Sequence, residues 1–87
     1  MIKKILILGS TGMMGSTISK FLRDDDRFKI LCTYRNYPKI KLLKLKKNQK
    51  IFLNVYISKN LNKIIKDFSP HYIINCIGLV KQLIKKK

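Results

Sequence analysis

The sequence predicts an α/β fold, the N-terminal half of a doubly wound parallel sheet, and three observations predict it. Short apolar runs end at turn-forming residues, as strands buried on both faces do. Between those runs lie stretches whose apolar residues recur at helical spacing. The two patterns alternate along the 87 residues. Strands that alternate with helices need crossover connections, and crossovers make neighbouring strands parallel.

The first strand is Ile5-Leu6-Ile7-Leu8, a continuous apolar run stopped by Gly9. From Met13 the period changes: Met14, Ile18, Phe21 and Leu22 fall at i, i+4, i+7 and i+8, one stripe of an amphipathic helix. Asp24-Asp25-Asp26 stops it, because acids at a helix C-terminus oppose the macrodipole and favour turns. Residues 28–34 (Phe-Lys-Ile-Leu-Cys-Thr-Tyr) form the second strand. Pro38 and the lysine-rich residues 39–47 read as a loop with a short helix, and residues 51–55 as a third strand. Leu61, Ile64, Ile65 and Phe68 then sit at i, i+3, i+4 and i+7, a helix with Ser58 as its N-cap and Ser69-Pro70 as its stop. Residues 72–77 (Tyr-Ile-Ile-Asn-Cys-Ile) are a fourth buried strand, opened by His71 and stopped by Gly78.

Composition narrows the class. Hydrophobic residues make up 46%, enough for a core and too many for a disordered chain. A chain of this length buries only about 60–65% of its unfolded surface, so residues 1–87 are one domain with a thin margin. No apolar run approaches the ~18 residues of a membrane span. The four apolar residues after Lys3-Lys4 are too few for a signal peptide, so a cytoplasmic location is expected. Cys32 and Cys76 lie far apart and His71 is the single histidine, which argues against a metal site or a disulfide framework. The net charge of +16 comes from lysines scattered from Lys3 to Lys87, with only Arg23, Arg27 and Arg35 as arginines. It reads as heavy use of Lys, Ile and Asn rather than as a nucleic-acid surface, since arginine is favoured for reading bases.

The chemistry sits in Gly9-Ser10-Thr11-Gly12-Met13-Met14-Gly15, between the first strand and the first helix. There Gly9 turns the chain off the strand, Gly12 lets the backbone approach a pyrophosphate, and Gly15 lets the helix pack on the sheet. The helix N-terminus offers amides and partial positive charge to phosphates. This is the phosphate-binding turn of a Rossmann sheet, with strand order 3-2-1-4 and a dinucleotide as ligand.

The G-x-x-G-x-x-G spacing resembles the short-chain dehydrogenase/reductase superfamily, in its extended branch of NAD-dependent epimerases, dehydratases and reductases of sugar nucleotides. With Thr33-Tyr34-Arg35-Asn36 and Ile73-Ile74-Asn75-Cys76-Ile77-Gly78, it looks like the dTDP-4-dehydrorhamnose reductase-like group. The likeness runs from Met1 to about Leu83, and the glycine motif is its diagnostic part.

Cofactor choice is set after the second strand. An acid there accepts from a ribose 2′-OH and repels a 2′-phosphate. Here Tyr34-Arg35 offers an arginine and no acid, so NADP(H) is expected over NAD(H). The resemblance implies that Asn54-Val55 stands where relatives carry Asp and an apolar residue against adenine. It also implies that Cys76, Ile77 and Gly78 pass the ribose and nicotinamide, while Asn75 either joins them or stabilises the sheet.

The superfamily's catalytic Ser/Thr and Tyr-x-x-x-Lys have no counterpart here. Tyr37 and Lys41 match the spacing, but beside Pro38 rather than on the later helix. The expected function is therefore the N-terminal dinucleotide-binding fragment of an NADP(H)-dependent sugar-nucleotide reductase, not catalytic alone. Its partner would be the missing C-terminal half or another subunit. The competing readings are a non-enzymatic NAD(P)-binding module acting with a partner and a basic nucleic-acid-binding protein.

Overall fold

A computed structural model describes residues 2–35, 37–53 and 58–76. Its elements are β1 (Lys3–Leu8), α1 (Met13–Leu22), β2 (Phe28–Tyr34), α2 (Tyr37–Lys41), a 3-10 turn (Lys47–Gln49), β3 (Lys50–Phe52), α3 (Ser58–Phe68) and β4 (Tyr72–Asn75). The strands form one sheet in the order β3-β2-β1-β4, every pair parallel. Both the class and the strand order are those that the sequence predicts.

β1 is the axis of the sheet, and its pairing explains its composition. Ile7 lies opposite Cys32 of β2 on one side and Ile74 of β4 on the other. Successive side chains point to opposite faces, and each face has its own cluster. Ile5 and Ile7 join Leu22, Ile30 and Cys32 beneath α1, while Leu6 and Leu8 join Leu53 and Ile64 beneath α3. A strand covered on both faces has no room for a polar alternate position, hence Ile5-Leu6-Ile7-Leu8. Cys32 on β2 and Cys76, just past the end of β4 although the sequence reads as a strand over 72–77, are both free thiols on opposite sides of β1.

The first helix is real, and half of its predicted stripe holds: Leu22 is buried and Ile18 packs against the same cluster, but Met14 and Phe21 do not. Gly15, Ser19 and Leu22 are buried, whereas Met14 and Phe21 are 66% and 79% exposed. The cause is how closely α1 approaches the glycine turn. A Cβ on Gly15 would stand 2.1 Å from the Gly9 carbonyl oxygen, so only small residues fit against the turn. The buried Ser19 hydroxyl is satisfied: it donates to the Gly15 carbonyl at 2.7 Å and accepts from the Cys32 thiol at 3.3 Å.

Residues 39–47 are better ordered than a lysine-rich loop suggests. Ile40, Leu43 and Leu45 are buried in the α1-side cluster. The Arg23 guanidinium donates to the Leu43 carbonyl at 2.6 Å, and the Gln49 amide donates to the Arg23 carbonyl at 3.0 Å. Asp24-Asp25-Asp26 follows the end of α1, and Asp25 accepts two bonds from the Arg27 guanidinium and one from the Arg27 amide.

Of the expected 51–55 strand, Ile51 and Phe52 lie in β3, which starts one residue earlier at Lys50, Leu53 lies just past it, and residues 54 and 55 lie outside the described ones. β3 pairs with β2 through Lys50, Ile51 and Phe52, and Leu53 follows it into the core. α3 begins at Ser58, whose expected capping side chain lies outside the described ones. It ends at Phe68, where Ser69 turns left-handed at φ 51° ahead of Pro70. Lys4 ties the start of β1 to this end: its ammonium donates to the Phe68 carbonyl at 3.0 Å. Its backbone amide donates to His71 Nδ1 at 2.9 Å.

The fourth strand corrects a second expectation. Its apolar run reads as buried, although half of a doubly wound sheet is also expected to leave this strand's outer edge open, and Tyr72 is 56% and Ile73 48% exposed. Among the described residues β4 pairs with β1 alone, so it is an edge strand with one side open. No helix among them is long and apolar enough to cross a membrane.

Candidate functional site

The segment after β1 turns sharply at the C-terminal edge of the sheet. Gly9 has φ 76°, a left-handed conformation that costs any residue with a Cβ. The chain then reverses over itself, with the Gly12 amide donating to the Gly9 carbonyl at 3.3 Å. Gly15 is required by packing, as its contact with Gly9 shows. Gly12 differs from both. Its φ of −74° suits any residue, and a Cβ there would meet only the carbonyls of Gly9 at 3.7 Å and Cys76 at 4.0 Å. The fold itself therefore does not need a glycine at position 12. An exposed glycine beside a helix start leaves open space at the backbone.

α1 begins at that point. Gly12 is its N-cap, and no side chain caps its first turn, which also carries no acid. The Ser16 and Thr17 hydroxyls donate instead to the Met13 carbonyl at 3.0 Å each. Met13 and Met14, the first two residues of α1, are exposed. Uncapped amides and the positive end of the helix dipole together make this the anion-favouring corner of the described residues.

The turn is latched to the end of β2. The Ser10 hydroxyl donates to the Thr33 carbonyl at 2.6 Å, as does the Ser10 amide at 3.0 Å. The Gly9 amide in turn donates to Thr33 Oγ1 at 3.1 Å, and that hydroxyl donates to the Ile7 carbonyl at 3.3 Å. Tyr34 and Arg35 follow this latch, the arginine exposed at a bend. Tyr34 packs edge-on against Phe52, with ring centroids 5.9 Å apart, and tilts against Tyr37 at 6.3 Å.

On the other side of the turn the Cys76 amide donates to the Leu8 carbonyl at 2.8 Å. The structure thus gathers Gly9, Ser10, Thr11, Gly12, Met13, Met14, Gly15, Tyr34, Arg35 and Cys76 along the C-terminal ends of β1, β2 and β4. Asn54, Val55, Ile77 and Gly78 lie outside the described residues. Burial pushes the Cys76 thiol above its ordinary value, and pushes Cys32, deeper in the sheet, up to about 11.

Thr33 is the site residue that sequence reasoning missed. The available signal was a threonine directly after the apolar run Ile30-Leu31-Cys32 and just ahead of Tyr34-Arg35. Its contribution depends on the glycine turn reaching it, which spacing alone does not show. Tyr37 and Lys41, the one Tyr-x-x-x-Lys match, are both exposed on α2, with the ammonium 5.4 Å from the ring centroid. Among the described residues no group of three His, Cys, Asp or Glu is placed to hold a metal ion.

A family model matches residues 5–86, that of the NAD dependent epimerase/dehydratase family. No curated protein matches the chain. The match covers the glycine turn, the latch and the end of β2, and the family implies a nicotinamide dinucleotide cofactor.

Proposed function

The chain belongs to the NAD dependent epimerase/dehydratase family, and on that premise we propose that it holds NADP(H) as the N-terminal part of a sugar-nucleotide reductase. The observation that carries the reading is Gly12, a glycine that the fold does not require, placed at an uncapped helix start. The amides of residues 13–15 and the backbone at Gly12 would take the pyrophosphate, and Cys76 would pass beside the ribose. Arg35, with no acid beside it, would pair with a 2′-phosphate. When bound, the nicotinamide supplies a hydride or accepts one. The reductase assignment, and the dTDP-4-dehydrorhamnose reductase-like group within it, rests on the texture of the glycine turn, Tyr34-Arg35 and the segment from Asn75 to Gly78.

Reduction of a carbonyl also needs a proton donor within hydrogen-bond reach of the substrate. Tyr37 and Lys41 are on α2 and both face water, so they do not form that donor. We assign the 87 residues the holding of cofactor, with the proton donor and the substrate walls supplied by a further segment or subunit.

Calorimetry tests this directly. The chain binds NADPH more tightly than NADH, and Arg35→Ala removes most of the difference, about 1.5–3 kcal/mol for a charged hydrogen bond. Equal affinities in the parent chain would refute the NADP preference, and no heat with either would refute cofactor binding. Incubation with NADPH and a panel of 4-keto sugar nucleotides gives no consumption above background. Turnover by the purified chain would overturn the division of labour.

A further inference from the structure

The lysine-rich segment between α2 and β3 is a fixed platform rather than a loose loop. Ile40, Leu43 and Leu45 anchor it, at 0%, 2% and 7% exposure. With those side chains inside, Lys41, Lys44, Lys46 and Lys47 are all turned to solvent. No acid occurs anywhere between Asp26 and Asp67. The ion pairs among the described residues join Arg23 to Asp24, Arg27 to Asp25 and Lys63 to Asp67, and none involves these four lysines. Among the described residues Asp25 and Asp26 line one cavity with Lys46 but pair with no lysine of this edge, so its potential stays positive.

Aromatic rings stand at one end of the same edge. Tyr37, the first residue of α2, is 55% exposed, and Phe52, the last of β3, is 58% exposed. Both lean on the half-buried Tyr34, which limits their motion while leaving ring surface open to water. β3 is the last strand of the sheet on this side, so no neighbouring strand among the described residues covers the rings or the lysines.

Charge alone says little in a chain this basic, and the rings sharpen it. A partner that satisfies both features must carry repeated negative charge and flat apolar faces free to stack. Single-stranded nucleic acid carries a charge and a flat face in every unit, whereas a duplex hides its base faces and an acidic peptide has flat faces only where aromatic residues interrupt its acids. We propose that the edge from α2 to β3 is a docking surface for single-stranded nucleic acid. Tyr37 and Phe52 stack on bases, and Lys41, Lys44, Lys46 and Lys47 face the phosphates. None of these residues offers arginine's bidentate fork to a base edge, so binding is tolerant of sequence. This inference does not depend on the dinucleotide reading.

The test is fluorescence anisotropy of the whole chain with labelled 20-nucleotide oligo-U, a duplex of the same length, heparin, and vesicles of anionic phospholipid. Oligo-U binds more tightly than the duplex at equal salt. Phe52→Leu and Tyr37→Leu each weaken oligo-U about tenfold and leave heparin unchanged, because stacking is lost and charge is not. Replacing Lys44, Lys46 and Lys47 together by Gln lowers the slope of log K against log salt by about 2. The same change at Lys59, Lys63 and Lys66 on α3 has a smaller effect. Circular dichroism of each variant separates loss of binding from loss of fold. Equal affinity for strand and duplex, ring variants that bind as the parent does, an equal loss from the α3 lysines, or preferred binding to vesicles would each overturn the proposal.

Discussion

The hydroxyl of Ser10 donates a 2.6 Å hydrogen bond to the carbonyl of Thr33, and both residues are closed to water, at 0% and 2% exposure. The bond joins the glycine turn to the end of the neighbouring strand. Thr33 returns the contact by accepting the Gly9 amide, so the turn is tied twice to the start of the Tyr34-Arg35 segment. A ligand that touched both would meet a preformed corner, with less ordering left to do on binding.

Two substitutions weigh the latch. Ser10→Ala leaves the Thr33 carbonyl its second donor, the Ser10 amide, and costs about 0.5–1.5 kcal/mol. Thr33→Val removes the acceptor of the Gly9 amide and leaves a partly buried N–H unpaired, which costs about 1–3 kcal/mol. Urea unfolding of the two variants gives the order, and a Ser10→Ala loss larger than that of Thr33→Val would contradict the assignment.

The glycines separate stability from binding. Gly15→Ala forces a Cβ to within 2.1 Å of a backbone oxygen that no side-chain rotation can relieve. It should cost at least the ~1–3 kcal/mol of overpacking and leave little folded protein. Gly12→Ala meets nothing closer than 3.7 Å, so it costs only the N-cap preference of Gly over Ala, about 1 kcal/mol, while NADPH affinity falls in protein that is still folded. A Gly12→Ala variant that binds as the parent does would remove the central support for the cofactor reading.

The two thiols should react at different rates. Burial raises both, but Cys32 is held up to about 11 inside the sheet and Cys76 is only half-buried. An aromatic disulfide reagent at pH 8 therefore labels Cys76 first, and labels Cys32 only as fast as the domain opens. Peptide mapping by mass spectrometry identifies the order. A Cys32–Cys76 disulfide in the purified protein would contradict the sheet order, because β1 lies between them.

Asp25 provides a pH signature. The Arg27 guanidinium, bonded at 2.8 and 3.0 Å with the Arg27 amide adding a third bond, holds its carboxyl at about 2 against an ordinary 3.8. A folded-state value below the unfolded one stabilises the fold above the unfolded value, and that contribution is lost as pH falls through about 2. The window is thus roughly pH 4 to 2. Carbon-13 titration of the Asp25 carboxyl shows the low midpoint, and Arg27→Ala returns it toward 3.8. A parent midpoint already near 3.8 would mean that this ring of hydrogen bonds does not persist in solution.

The sequence by itself determined the class, the strand order and the place of the turn. Ile5-Leu6-Ile7-Leu8, short and stopped by Gly9, reads as a strand covered on both faces, and the three glycines after it leave few ways to enter a helix. Those signals are local, because they depend on backbone freedom and on period, which each residue carries with it. Only the tertiary structure decided which face of α1 is buried, since Gly15 sets how near the helix lies and so admits Ser19 while turning out Met14 and Phe21. It likewise decided that Ile40, Leu43 and Leu45 pin the lysine-rich segment, and that Thr33 meets Ser10. Apolar period marks which residues want cover, but the cover comes from residues distant in the chain. The open side of β4 shows the same limit from the other direction. Tyr72 and Ile73 read as buried because of what they are, and stand exposed because of what lies beside them.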